Sequence, residues 1–208
     1  MFRILLVMVI GGAALVFAGV QEMRLAGSAK AEPQAISCAK LIESGPGDNA
    51  HVKMGDFLLS TGAICIQEGK NGGKWQNVWV PAVPLNGAYH QKLVESIGAD
   101  GKLAGPMPIP DDIRVIVKSS KIGGEQQLET LADQDTLQGM VVNKIASLGS
   151  KEKKILAESY PGVNFDKCLI IEHGRTPASS GKSYGMMGGG ALLSVLGVLG
   201  FFRSKTSA

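Results

Sequence analysis

Hydrophobic residues along this chain fall into three regimes. Residues 4–20 (ILLVMVIGGAALVFAGV) form an apolar run with no charge in it, and residues 185–202 form a second, richer in glycine. Between them the apolar positions become intermittent, at spacings of two or of four. A run of roughly 17–25 apolar residues crosses a bilayer as a helix, because a helix satisfies its own backbone hydrogen bonds where lipid cannot. The pattern therefore predicts an N-terminal transmembrane helix over residues 1–21, acting as a signal anchor, and a stalk over 22–35. A folded domain follows over 36–174 and a linker over 175–184. A C-terminal transmembrane helix over 185–202 and a cytoplasmic tail over 203–208 complete the chain.

A cleaved signal peptide competes for the first run, with small-residue sites at Val16-Phe17-Ala18 and Ala29-Lys30-Ala31. The run exceeds the roughly 7–15 residues of a signal peptide's apolar region, so a retained anchor is the better reading. Cys38 lies too far beyond it for a lipoprotein. Arg3, Arg203 and Lys205 favour cytoplasmic ends, although Arg24, Lys30, Arg175 and Lys182 flank the other side. The expected location is a membrane crossed twice, the inner membrane of a bacterial cell, with the central domain extracytoplasmic.

Within that domain, Ser37 is placed to N-cap a short helix through Ser44, stopped by Gly45-Pro46-Gly47. From His51, HVKMGDFLL, GAICIQ and WQNVWVPAVPL read as strands, rich in β-branched and aromatic residues. The stretch 68–74 (EGKNGGK) is a hairpin turn, since Asn71, Gly72 and Gly73 tolerate positive φ. Pro81 and Pro84 lack an N–H, so the strand before them is expected to finish near Val80 or to lie at an edge. Tyr89, Leu93 and Ile97, four apart, predict a helix, and 98–110 a Gly/Pro loop. Residues 113–117 (IRVIV) read as a strand buried on both faces. A helix at 126–133, a strand at 137–143, a helix at 151–159 capped by Ser150, and a strand at 165–172 complete the list. About six strands and three or four short helices in this order make a single small β-rich domain of the α+β class.

Charge changes the picture little. The net charge is +3, with basic residues scattered singly among acidic ones and aromatics at 5%. Nucleic-acid binding wants a basic stripe with stacking aromatics, which is absent. The three cysteines do not make a disulfide framework. Cys65 and Cys168 sit in strand-like runs, either as buried apolar residues or as a bridge between neighbouring strands.

No motif for chemistry survives. His51, His90 and His173 stand far apart, without ligands at zinc spacing. The Ser179–Ser183 stretch (SSGKS) resembles the end of a phosphate-binding loop, but Thr176 stands where its first glycine belongs. There is no Gly-x-Ser-x-Gly elbow, and Asp133-x-Asp135 lacks the rest of a calcium loop. Cys38 beside Leu41 reads as a packed helix residue rather than a nucleophile. No catalytic, cofactor-binding or metal-ligating residue is assigned, and no cofactor is expected. In the apolar runs, the small residues Ala14 and Ala18, and Gly185 and Gly189, are spaced for close helix approach and for self-association. Gly188-Gly189-Gly190 followed by an apolar helix, Arg203 and Lys205 also resembles a bacterial C-terminal sorting tag, the minor reading of that run.

Two terminal membrane helices around a β-rich domain are similar in layout to the surfeit-locus cytochrome oxidase assembly factors. Gly55-Asp56-Phe57 and Trp79-Val80-Pro81 echo strands of that family. Its Asn-Arg-Gly-Trp type signature is missing here, and no functional residue carries over. The expected function is a membrane-tethered, non-enzymatic scaffold or assembly protein acting on another membrane protein. A small membrane-bound hydrolase is the alternative.

Overall fold

The computed structural model describes residues 2–69, 73–98, 101–142, 150–165 and 167–206. In chain order its elements are α1 (Phe2–Gly27), β1 (Gln34–Ser37), α2 (Cys38–Ser44), β2 (His51–Gly55), β3 (Phe57–Leu59), β4 (Cys65–Glu68) and β5 (Trp75–Pro84). They continue with α3 (Ala88–Glu95), β6 (Val115–Ser119), α4 (Glu125–Ala132), β7 (Thr136–Val141), α5 (Ser150–Ser159), β8 (Leu169–His173) and α6 (Ser180–Thr206). The chain forms two units, Met1–Ser28 with Pro177–Ala208, and Ala29–Thr176.

The first unit is the pair α1 and α6. Both are long and apolar enough to cross a membrane. Each runs beyond the apolar stretch that announced it: α1 continues through Gly27, into residues expected as stalk, and α6 starts at Ser180, inside the expected linker. The two helices run antiparallel. Gly12 faces Gly190 and Ser194, Gly19 faces Met187, and Gly197 faces Val9 and Leu5. A Cβ on Gly190 would lie 2.6 Å from the Gly12 carbonyl, so glycine alone permits this approach. The buried positions Leu5, Gly12 and Gly19 on α1, and Ser183, Gly190 and Gly197 on α6, recur every seventh residue. That period keeps one seam facing its partner along both helices.

The second unit is an α+β domain built on one mixed sheet of eight strands, in the order β1-β2-β7-β8-β6-β5-β3, with β4 also paired to β5. The β1–β2 and β6–β8 pairs are parallel and the rest antiparallel. The stretch HVKMGDFLL is extended throughout but breaks into two strands at Asp56, which adopts φ 52°. Asp tolerates that left-handed conformation better than most side chains. The corner sends β2 to pair with β7 and β3 to pair with β5 at the other end of the strand order. One stretch of chain thus supplies the strand next to one edge of the sheet and the strand at the other edge, and nearly closes it, as a corner does in a barrel.

This corner, together with β1 in residues expected as stalk, raises the strand count from about six to eight. A second correction concerns Pro81. β5 does not end at Val80 but continues to Pro84, in the interior of the sheet. The Pro81 carbonyl accepts from Ser60 N at 2.9 Å. The N and O of one strand residue point to the same side, so the missing N–H faces the gap between β3 and β4. A 3-10 turn over Thr61–Ala63 fills that gap, and no ladder bond is lost.

Elsewhere the expected elements appear with shifted ends. Ser37 N-caps α2, its Oγ accepting from Lys40 N at 3.3 Å, and Gly45 at φ 68° ends it. The strand expected at 113–117 starts at Val115 and the one at 165–172 at Leu169. β4 and β5 form the predicted hairpin, with turn residues 70–72 outside the described residues. Asn143, expected to end the strand before α5, also lies outside them. Alternating residues of β2, β3, β5, β6, β7 and β8 join Leu41 of α2 and Leu128 and Leu131 of α4 in one apolar core. Strand alternation puts Trp79, Ile116, Met140 and Ile170 on the opposite face. There α5 contributes the fully buried Leu156, the Glu152–Lys118 ion pair at 2.6 Å, and then Tyr160, whose hydroxyl donates to Ala63 O and Trp79 O.

Candidate functional site

The three histidines occupy three places. His51, buried at the start of β2, has Nδ1 3.1 Å from Lys30 O and Nε2 3.0 Å from the Gln138 amide. Its neighbour Asn49 accepts from Lys30 N at 2.8 Å and donates to Glu32 O at 2.9 Å, while Gln34 donates to Asn49 O at 3.1 Å. These bonds clasp the chain between Lys30 and Gln34 onto the sheet, so His51 serves the fold. His90 lies on α3. His173, at the end of β8, places Nδ1 3.2 Å from the Ser119 hydroxyl. Ser119 Oγ already accepts from Lys121 N at 3.2 Å, which frees its proton for the histidine. Burial, and then the Lys121 cation, lower the His173 pKa below its ordinary value. Sequence reasoning missed this serine–histidine contact, which joins residues 54 apart by pairing the ends of β6 and β8. The Ser119 side of it is 1% exposed, closed to a substrate. Among the described residues no group of three His, Cys, Asp or Glu could hold a metal.

The cysteines are free and buried. Cys65 opens β4 and Cys168 immediately precedes β8, and β5 and β6 lie between those strands. Three inter-strand steps amount to about 14 Å, twice the reach of a disulfide, so the bridge weighed from sequence is excluded. Burial pushes the Cys38 and Cys168 thiols up to about 12 and raises Cys65 as well, although Ser159 donates to its sulfur at 3.1 Å. Thiols held protonated in this way are poor nucleophiles.

Concave surface is found elsewhere. Between β5 and β6 the chain makes an excursion of thirty residues, 85–114, carrying α3 and an isolated bridge between Ile97 and Leu103. Its last segment walls two cavities. One, of about 600 Å3, lies against the α5–β8 connection and is lined by Ile109, Ile113, Arg114, Tyr160, Val163 and Lys167 among others. The second, of about 390 Å3, lies against α2 and α3, with Ile42, Val83, Tyr89 and Lys92 in its lining. Pro110, Asp111, Asp112 and Arg114 line both. Neither cavity is lined by a histidine.

Exposed apolar side chains of the domain gather on the same excursion. Among the described residues outside α1 and α6, the large hydrophobic side chains left exposed are Leu85, Val94, Ile97, Leu103 and Ile109. Val94 is 52% and Ile109 63% exposed. The excursion leaves the sheet at one end of β5, opposite the end that pairs toward β1 and the last residue of β8. Gln34, Val52, Gly139 and His173 share one row across β1, β2, β7 and β8, and Ser119 beside His173 pairs with Val78. Pro84 lies six residues further along β5, about 20 Å away at strand rise.

Of the small residues singled out in the apolar runs, Ala14, Gly185 and Gly189 are exposed and Ala18 is half-buried. A Cβ on Gly185 or Gly189 would meet nothing within 4 Å. The α1–α6 seam is instead made by Gly12, Gly19, Gly190 and Gly197, with Ser194 Oγ 3.4 Å from Val9 O.

Compared with protein-family models, with curated proteins and with solved structures, the chain matches none.

Proposed function

We propose that this is a two-pass membrane protein whose central domain faces the extracytoplasmic space and serves as a non-enzymatic scaffold or assembly factor for another membrane protein. The observation that carries this reading is the confinement, among the described residues, of the domain's large exposed apolar side chains to the 85–109 excursion. That excursion leaves the sheet at the end of β5 opposite the row that holds Gln34, Val52, Gly139 and His173. Exposed apolar surface gathered in one place marks an interaction site rather than ordinary surface scatter. The outward Ala14, Gly185 and Gly189, with Ala18 beside them, offer a second contact for self-association within the membrane.

The test is the paired substitution Val94→Asp with Ile97→Asp in cells. The native complex should shrink to the size of the lone chain on native electrophoresis, with the domain's melting temperature unchanged. Wild type already running as a lone chain, or a complex of unchanged size in the variant, would refute it. The hydrolase alternative would have to use the Ser119–His173 contact, whose serine is buried. A fluorophosphonate probe that labels wild type but not Ser119→Ala would establish it.

A further inference from the structure

The cavities flanking Pro110–Arg114 share only Ile109 with the domain's apolar patch, and the scaffold reading does not require them. We propose that they form a binding site for a small organic carboxylate with an apolar body, recognised by Arg114 and assisted by Lys167. Their volumes, about 600 and 390 Å3, lie within the range of pockets that hold small ligands. The shared wall is a single short segment, so a ligand in either cavity meets the same arginine.

Arg114 is under-used by the protein. Among the described residues its guanidinium makes one ion contact, Nη1 to Asp112 at 3.7 Å, beyond hydrogen-bond range. Its Nε is buried with no partner, while the side chain as a whole is 36% exposed, so the Nη groups are the donors open to a ligand. A guanidinium presents five donors in a fixed fork, which a carboxylate satisfies two at a time.

The charges lining the larger cavity leave room for an anion. Among the described residues, Asp111 is taken by an ion pair with Lys92, leaving Asp112 as the acid facing Arg114. Lys167, exposed on the rim, adds a second cation. The apolar body has its own walls in Ile109, Ile113, Pro161 and Val163. A carboxylate entering along these side chains would displace Asp112 from its long contact and bring two acceptors to the fork. The wall then gains hydrogen bonds that the empty site lacks.

The probe is 3-phenylpropanoate, added at millimolar concentration to the full chain in lipid nanodiscs, with 3-phenylpropanol as the uncharged control. The acid should raise the melting temperature by linkage and slow amide exchange in segments 109–114 and 159–165. The alcohol should do neither. Arg114→Gln should weaken binding by about tenfold or more, the size of a charge-assisted bond, while Arg114→Lys keeps part of it. Lys167→Gln should weaken it less. Equal effects of acid and alcohol would show an apolar cavity without anion recognition, and would overturn the proposal. So would full binding by Arg114→Gln, or protection spread away from these two segments. If Arg114→Gln fails to fold, the acid–alcohol contrast on wild type and the Lys167→Gln series decide the question.

Discussion

Val115, Ile116 and Val117 are fully buried in succession, which places β6 between apolar material on both faces. The sequence shows this directly, because an unalternated β-branched run has no side to offer water. Val115→Asp would bury a carboxylate without a partner. We expect a loss on the order of 4 kcal/mol, read as collapse of the cooperative thermal transition of the full chain in detergent. An unchanged melting temperature would show that β6 is not central. His173 makes a different kind of prediction. Its pKa is lowered in the fold by burial and by Lys121, so the unfolded chain binds more protons in the window below the ordinary value of 6.5. Stability therefore rises with pH through that window. The contribution is complete above pH 6.5 and is lost as the pH falls below it. His173→Gln should flatten the fall in melting temperature between neutral pH and pH 5, and an unaltered slope would assign that fall to other groups. Single residues were legible where their local chemistry was decisive, as with the Ser37 cap. They were not where a side chain does something unusual for its type: nothing in HVKMGDFLL marks Asp56 as a left-handed corner.

At the scale of elements, strand identity was legible and strand limits were not. Pro81 shows why. A missing N–H forbids a ladder bond on one side only, and which side is empty depends on where β3 stops and β4 begins, a fact held by the partner strands. β1 was hidden for a similar reason. Four residues, QAIS, carry little pattern, and become a strand because β2 offers an edge. Close approach between elements also escapes the eye. Gly139 reads as an interruption of LQGMVV, yet a Cβ there would fall onto the Glu172 carbonyl of β8, with Ile171 beside it. Gly139→Ala should therefore force β7 and β8 apart and cost about 1–3 kcal/mol, the range of overpacking, measurable by urea denaturation. The helix pair gives the matching case. Spacing of four pointed to Ala14, Ala18, Gly185 and Gly189, whereas the seam uses a spacing of seven through Gly12, Gly19, Gly190 and Gly197. Both patterns are present in the same glycine-rich text, and only the partner helix selects between them. Cysteines at Val9 and Ser194 should form a disulfide in the membrane, and Gly12→Leu should suppress it. Rapid cross-linking that survives Gly12→Leu would show that the seam tolerates separation.

For the whole molecule, the antiparallel pairing of α1 and α6 carries a consequence independent of what the domain does. Two antiparallel helices that cross a membrane leave both chain ends on one face and the intervening domain on the other. The positive charges at Arg3 and Arg203 favour the cytoplasmic side for the ends, weakly, since long domains translocate largely regardless of flanking charge. The native cysteines give a quiet background for testing this, because all three are buried. Lys74 is exposed beside the β4–β5 turn, and Ser207 stands next to the C-terminus. We expect a membrane-impermeant maleimide to label Lys74→Cys in intact cells and to label Ser207→Cys only after lysis. Labelling of Lys74→Cys only after lysis, with Ser207→Cys reached from outside, would keep the hairpin and invert it. Both positions labelling from outside would break the hairpin itself, because α6 would then not cross. The seam predicts which of these failures Gly190→Leu should approach. Forcing α6 away from α1 would remove packing from a helix whose many glycines add little insertion energy of their own. The fraction of Ser207→Cys reached from outside should accordingly rise in Gly190→Leu, while Lys74→Cys stays labelled. A variant that leaves both positions unchanged would show that α6 inserts on its own hydrophobicity, without help from α1.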